Sequence, residues 1–148
     1  MGVMEQFNLA RRVAVVTGGS RGLGRAMAIG LAEAGARVAV VSRTRSLIEE
    51  TAAEIVGKGG EAVAVPADVT REEDVESMTA EVVKAYGQID ILVNNAGIGG
   101  SKRSADLTVA DWQRLMDTNA RSVFLACRAA GRVMIRQRRG KVINVGSI

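Results

Sequence analysis

The chain alternates between two hydrophobic periods. Residues 12–16, "RVAVV", form a short unbroken apolar run, and a glycine-rich turn separates it from a helical pattern over 23–33. The unit then recurs: a second "RVAVV" at 37–41 precedes a helical stretch over 44–56, and a third strand at 61–65 leads through Asp68 into a helix ending near Tyr86 and Gly87. "TREE" at 70–73 has the spacing of a capping box for that helix. Residues 89–93, "IDILV", read as a fourth strand. After a loop through Gly100 come two helical patterns, at about 105–116 and 122–136, and then a fifth strand at 141–145. The strands are apolar without alternation, so both of their faces should be buried, and helices lie between them in sequence. This combination predicts a parallel sheet covered on both sides, a doubly wound α/β domain. No linker or low-complexity tract divides the chain, so one domain over 1–148 is expected, and the two "RVAVV" copies reflect strand composition and not a repeat.

Composition narrows the function classes. A chain of 148 residues that is 47% apolar can bury a core, which argues against disorder. No apolar run approaches the 18 or so residues of a membrane span, and the start lacks the apolar region of a signal peptide, so a soluble, cytoplasmic protein is expected. Met4 offers an alternative start to Met1, and Gln6 breaks the myristoylation pattern. With no histidine and a single cysteine, Cys127, a zinc site has almost no ligands to draw on, and no metal is expected. Cys127 reads as small core filler in preference to a reactive thiol. The net charge of +4 and the basic run at 136–141 raise the question of nucleic acid. Those cations end a helical pattern, where they oppose the helix dipole, and no aromatic stacking platform accompanies them. Nucleic acid is not an expected partner.

The first chemical motif is "TGGSRGLG" at 17–24, between the first strand and its helix. Glycines let a backbone turn sharply and approach a ligand, and the helix beyond offers unpaired N–H groups and a positive dipole end. Gly18, Gly19, Ser20, Arg21, Gly22, Leu23 and Gly24 are therefore candidates for a pyrophosphate cradle. The spacing is G-x-x-x-G-x-G and not the common G-x-G-x-x-G, and such a turn alone is also compatible with a tight loop. Its place after the first strand of a βαβ unit favours the cradle. About 20 residues further on, where an acid would bind the ribose of NAD, stand Ser42 and Arg43. A guanidinium there grips a 2′-phosphate in two places, so NADP(H) is favoured over NAD(H), with Arg21 adding charge nearby. Arg43 read alone is also compatible with an ordinary exposed arginine.

Four motifs occur in order: "TGGSRGLG", "ADVT" at 67–70, "NNAG" at 94–97 and "INVGS" at 143–147. Through them the chain resembles the short-chain dehydrogenase/reductase family along essentially its whole length. Within the family it looks most like the oxoacyl-carrier-protein-reductase and gluconate-dehydrogenase-like branches. The resemblance implies a Rossmann fold, a homo-oligomer, and NAD(P)-dependent oxidation of an alcohol or reduction of a ketone. It assigns Asp68 and Val69 to the adenine ring, the carboxylate accepting from the exocyclic amine. Asn95, Ala96 and Gly97, with Asn94, would line the nicotinamide-side ribose. Asn119, in "MDTNARSVF", would hold a water of the proton relay, and Ser147 would bond the substrate oxygen. From the residues alone, Asp68 also reads as a turn cap, "NNAG" as a turn and Asn119 as a helix N-cap. Ser147 follows a strand at the sheet edge where open α/β folds bind ligands, so its position agrees with its role.

The family's Y-x-x-x-K pair has no match here, because the one tyrosine, Tyr86, precedes the fourth strand. Without that acid/base pair the chain is expected to bind cofactor but to catalyse poorly by itself, to lack the family's last strands and to leave a sheet edge open. A non-catalytic dinucleotide-binding module is one alternative. Another is an oligomerisation partner, pairing through the helices near 105–117 and 120–137. Leu115, Val123, Phe124, Ala126, Ala130, Val133 and Met134 recur there at helical spacing, a stripe that packing on the sheet would also explain. Trp112 and the loop 98–104 are the only substrate-side positions, and neither selects a molecule.

Overall fold

The computed structural model describes residues 2–146. Its strands are β1 (Val13–Thr17), β2 (Arg37–Ser42), β3 (Glu61–Pro66), β4 (Ile91–Asn94) and β5 (Lys141–Asn144). They form one parallel sheet in the order β3-β2-β1-β4-β5. The helices are α1 (Val3–Gln6), α2 (Gly22–Glu33), α3 (Arg45–Gly57), α4 (Glu72–Tyr86), α5 (Val109–Met116) and α6 (Ser122–Gln137). This is the doubly wound, Rossmann-like arrangement.

Alternate residues of each central strand feed opposite faces. Val13 and Val15 join Val41, Val65, Leu92 and the inner sides of α4 and α6 in one apolar cluster, while Ala14 and Val16 join Val38, Val40 and the inner sides of α2 and α3 in the other. Small residues dominate the second cluster, with Ala28, Ala32 and Ala52 letting α2 and α3 lie close on the sheet.

The structure departs from the sequence reading in five places. The fourth strand begins at Ile91 and not at 89, because Gln137 folds over Ile89, accepting from its N–H and donating to its carbonyl. The helix expected from 105 starts at Val109: a short 3₁₀ turn occupies Ser104–Asp106, and Thr108 and Asp111 then form a capping box. The capping box expected at 70–73 does not form, since the Thr70 hydroxyl donates to Asp68 and α4 starts after an extended Arg71 with no side-chain cap. The helical patterns at 105–116 and 122–136 are not separate, for a π-turn over Asp117–Arg121 joins α5 to α6. Finally, burial on both faces holds for β1 and β4 but not for β5, all of whose residues are exposed: among the described residues β5 packs on β4 with no helix closely over it, whereas the other edge strand, β3, is partly covered by α3 and α4.

Candidate functional site

Strand order reverses between β1 and β4, and at that switch point the loops leaving their C-terminal ends diverge to open a cleft. Thr17 ends β1 and is buried. Its hydroxyl accepts from the backbone N–H groups of Asn95 and Ala96, both at 3.1 Å, and donates to the Val93 carbonyl at 3.3 Å. The Asn95 amide returns the link, donating to the carbonyls of Thr17 and Gly18 at 3.2 Å each. Two loops almost 80 residues apart in sequence are thereby stapled into one rigid floor.

The glycines fit this floor by what they lack. Gly18 sits at φ +66°, and a Cβ there would meet the Ala96 Cα and the Asn95 amide nitrogen at 2.9 Å. A Cβ on Gly24 would lie 2.1 Å from the Gly18 carbonyl oxygen, so the first turn of α2 packs directly on the loop. Gly19 packs against Val40 beneath the loop. No side chain caps α2, which leaves the N–H groups of its first turn free for an anion.

One cleft of about 300 Å³ gathers Gly18, Ser20, Arg21, Ser42, Arg43, Asp68, Val69, Asn95, Ala96 and Gly97. Of the other candidates, Gly19, Gly22 and Gly24 shape the loop from outside this lining, and Leu23 is 70% exposed on α2. The Ser42 hydroxyl accepts from the Thr44 N–H at 3.3 Å, which turns the chain behind β2 and leaves Arg43 exposed at the rim. Asp68 takes the turn-capping role that the sequence left open: its Oδ1 accepts from the Thr70 N–H at 3.0 Å and the Thr70 hydroxyl at 2.7 Å. Its Oδ2 accepts no hydrogen bond among the described residues. Partial burial opposes the charge of Asp68, but the bonds from Thr70 and the nearby Arg43 and Arg71 outweigh it and hold the carboxyl below its ordinary range. Thr44, Leu47, Ala67, Thr70, Ile98 and Thr118 also line the cleft and Thr17 braces its floor, and the sequence reading assigned none of them a role in cofactor binding. For Thr17 the signal was present, because a hydroxyl at the end of a buried strand needs polar partners.

Asn119 is not an N-cap. It lies within the π-turn, and its side chain clamps Ile98 from both sides, accepting from the Ile98 N–H and donating to the Ile98 carbonyl, each at 2.8 Å. A π-turn inserts one extra residue into the helical path and is frequent at functional sites. Asn94 braces the sheet, donating to the Asn144 carbonyl oxygen Oδ1 at 2.9 Å and to the Cys127 sulfur at 3.3 Å. Ser147 lies outside the described residues. The apolar stripe on α5 and α6 divides: Ala126, Ala130, Val133 and Met134 are buried against the sheet, whereas Phe124 is 58% exposed beside Arg128.

The residues present fit a dinucleotide: an open backbone cradle, an uncapped helix start for a pyrophosphate, and Ser42 where a ribose-binding acid would stand, followed by Arg43. Comparison with known proteins agrees in kind. The family model for short chain dehydrogenases matches residues 12–148. A 3-oxoacyl-[acyl-carrier-protein] reductase of Synechocystis sp. is 38% identical over 141 residues, which are 95% of this chain and 57% of the relative. A short-chain dehydrogenase/reductase from Mycobacterium marinum superposes with a TM-score of 0.96 at 39% identity, covering 99% of this chain and 60% of that one. A metagenomic short-chain oxidoreductase solved in complex with NADP superposes with a TM-score of 0.90 at 37% identity, over 95% and 64%. The chain thus spans somewhat more than half the length of the relatives it matches.

Proposed function

Because the chain belongs to the short-chain dehydrogenase family, we propose that it is the dinucleotide-binding domain, over 1–148, of a cytoplasmic NADP(H)-dependent oxidoreductase acting on a ketone or secondary alcohol. The observation that carries this reading is a single cleft, at the sheet's switch point, that brings together the glycine loop, Ser42 with Arg43, and Asp68 with Val69. When bound, the nicotinamide cofactor supplies or accepts the hydride.

The chain's own residues do the rest by position. The stapled loop presents backbone N–H groups to the pyrophosphate without reorganising. Arg43 and Arg21 select the phosphorylated ribose through charge-assisted hydrogen bonds. The free Oδ2 of Asp68 accepts from the adenine amine while Oδ1 stays bound to Thr70. Asn119 holds the loop at Ile98, and Ser147 orients the substrate oxygen. A proton donor matched to that oxygen is not among these residues, so the 148-residue stretch turns over slowly by itself even where it binds cofactor tightly. The parent enzyme associates with copies of itself through the exposed side of α5 and α6, where Trp112 and Phe124 remain uncovered.

The test is titration of mass-verified 148-residue chain with NADPH and NADH, followed by turnover against a ketone panel. Tighter binding of NADPH with slow turnover is the expected result. Binding of neither nucleotide would sink the reading, and binding with no turnover at all would make the chain a dinucleotide-binding module.

A further inference from the structure

A second cleft, of about 390 Å³, adjoins the first. Arg43, Thr70 and Thr118 line both, so the two are continuous, and the far wall of the second is α5, which contributes Arg114. Neither Arg43 nor Arg114 has an ion pair or a side-chain hydrogen bond among the described residues. Two carboxylates face the groove: Asp68, in the first cleft, lies near Arg43 and accepts from Thr70 through Oδ1, and Asp117, in the second, is already engaged, its Oδ1 accepting from the Gln113 amide at 2.9 Å and lying 3.8 Å from Arg121. The two threonine hydroxyls have also spent their protons, Thr70 on Asp68 at 2.7 Å and Thr118 on the Arg114 carbonyl at 3.0 Å. The charged donors left without an ion pair in the second cleft are therefore two guanidiniums, one following β2 and one on α5, with the second N–H of the Gln113 amide beside them. Like charges sharing a groove repel one another, and an anion between them reverses the sign. A phosphate monoester offers each guanidinium a planar pair of acceptor oxygens, which an isolated hydroxyl does not.

We infer that Arg114 is a second specificity-determining residue for the nucleotide: with Arg43 it holds the 2′-phosphate, the α5 wall completing a seat that β2 begins. This rests on the NADP(H) reading above and goes beyond it, since α5 lies more than 65 residues from the segment where that reading places selectivity.

The experiment compares dissociation constants for NADPH and NADH, with 2′-AMP and 5′-AMP as smaller probes, in the wild-type chain and in R114Q, R114K and R43Q. The expected result is that R114Q weakens NADPH and 2′-AMP roughly tenfold while NADH and 5′-AMP stay within about twofold, and that R114K recovers part of the loss. The salt dependence of NADPH binding should also flatten in R114Q. Retained NADH affinity shows that each variant is folded. Equal losses for both nucleotides would place Arg114 against the adenine and overturn the inference, as would unchanged NADPH affinity. If R43Q abolishes the preference and R114Q preserves it, the cofactor reading stands and only the role of Arg114 falls. A wild-type chain without preference for NADPH overturns both.

Discussion

A single methyl group tests the cradle. Gly24→Ala places a carbon 2.1 Å from a backbone oxygen that cannot give way without moving the whole loop. Overpacking of this kind costs about 1–3 kcal/mol, so chemical denaturation should show a loss in that range, together with weaker binding of NADPH and NADH alike. Thr17→Val keeps the shape and removes the hydroxyl, leaving the N–H groups of Asn95 and Ala96 without their acceptor. Both groups are partly buried, so a cost of about 1–3 kcal/mol for the pair is expected, read from the same denaturation curves. At this scale the glycines were legible, because their spacing after a strand is a sequence pattern. Thr17 lies inside the same motif, yet its role is not legible there, since its partners come from a loop that only the fold brings near.

At the scale of elements, periodicity gave every strand of the sheet and nearly every helix, and it failed where local chemistry overrides period. Thr108 shows this: its capping box with Asp111 sets the start of α5 four residues after the apolar pattern begins. Lys102 reinforces the cap, its ammonium bonding the Asp111 carboxylate at 2.6 Å, and the hydrogen bonds from Lys102 and then Thr108 press that carboxyl far below its ordinary range. Thr108→Ala should lower stability by about 1 kcal/mol and raise fraying of the first turn of α5, seen as faster amide exchange at Asp111, whose N–H loses its acceptor. The π-turn left a different trace, two helical patterns with a gap over 117–121 that read as two helices. One inserted residue shifts a helical stripe by about 100°, enough to make a continuous rod look broken. Asn119→Ala should release Ile98, with faster exchange across 97–103 and little change in the strands, because the clamp is local to that loop.

The whole molecule is tied at its other end by Asp90. This buried carboxylate accepts from the Val13 N–H at 2.9 Å, the Gln88 amide at 2.6 Å and Arg139 at 2.8 Å, and Arg12 lies 3.5 Å away, so β1, β4 and the approach to β5 meet on one group. Burial opposes its charge, but the Val13 bond and the two arginines outweigh burial and lower its pKa. A carboxyl depressed in the native state contributes stability that is present above its unfolded pKa of about 4 and lost as pH falls through the lower native value. Asp90→Asn should therefore destabilise the chain by roughly 1–3 kcal/mol near neutrality and flatten the acid limb of a stability profile below about pH 5. None of this was legible beforehand, since "IDILV" reads as strand and gives no hint that its aspartate collects three separate segments.

The staple between Thr17 and Asn95 also sets an order in time. A ribosome completes the glycine loop, β2 and β3 well before it adds β4, yet the loop has no floor until Asn95 and Ala96 arrive to bind it. Such long-range closure is slow relative to helix formation, and the central strand waits half-paired while the rest of the chain is synthesised. Nascent chains in which Ala96 has not cleared the exit tunnel should therefore hold no NADPH, and the ability should appear only after α6, whose inner side covers β1 and β4, has emerged as well.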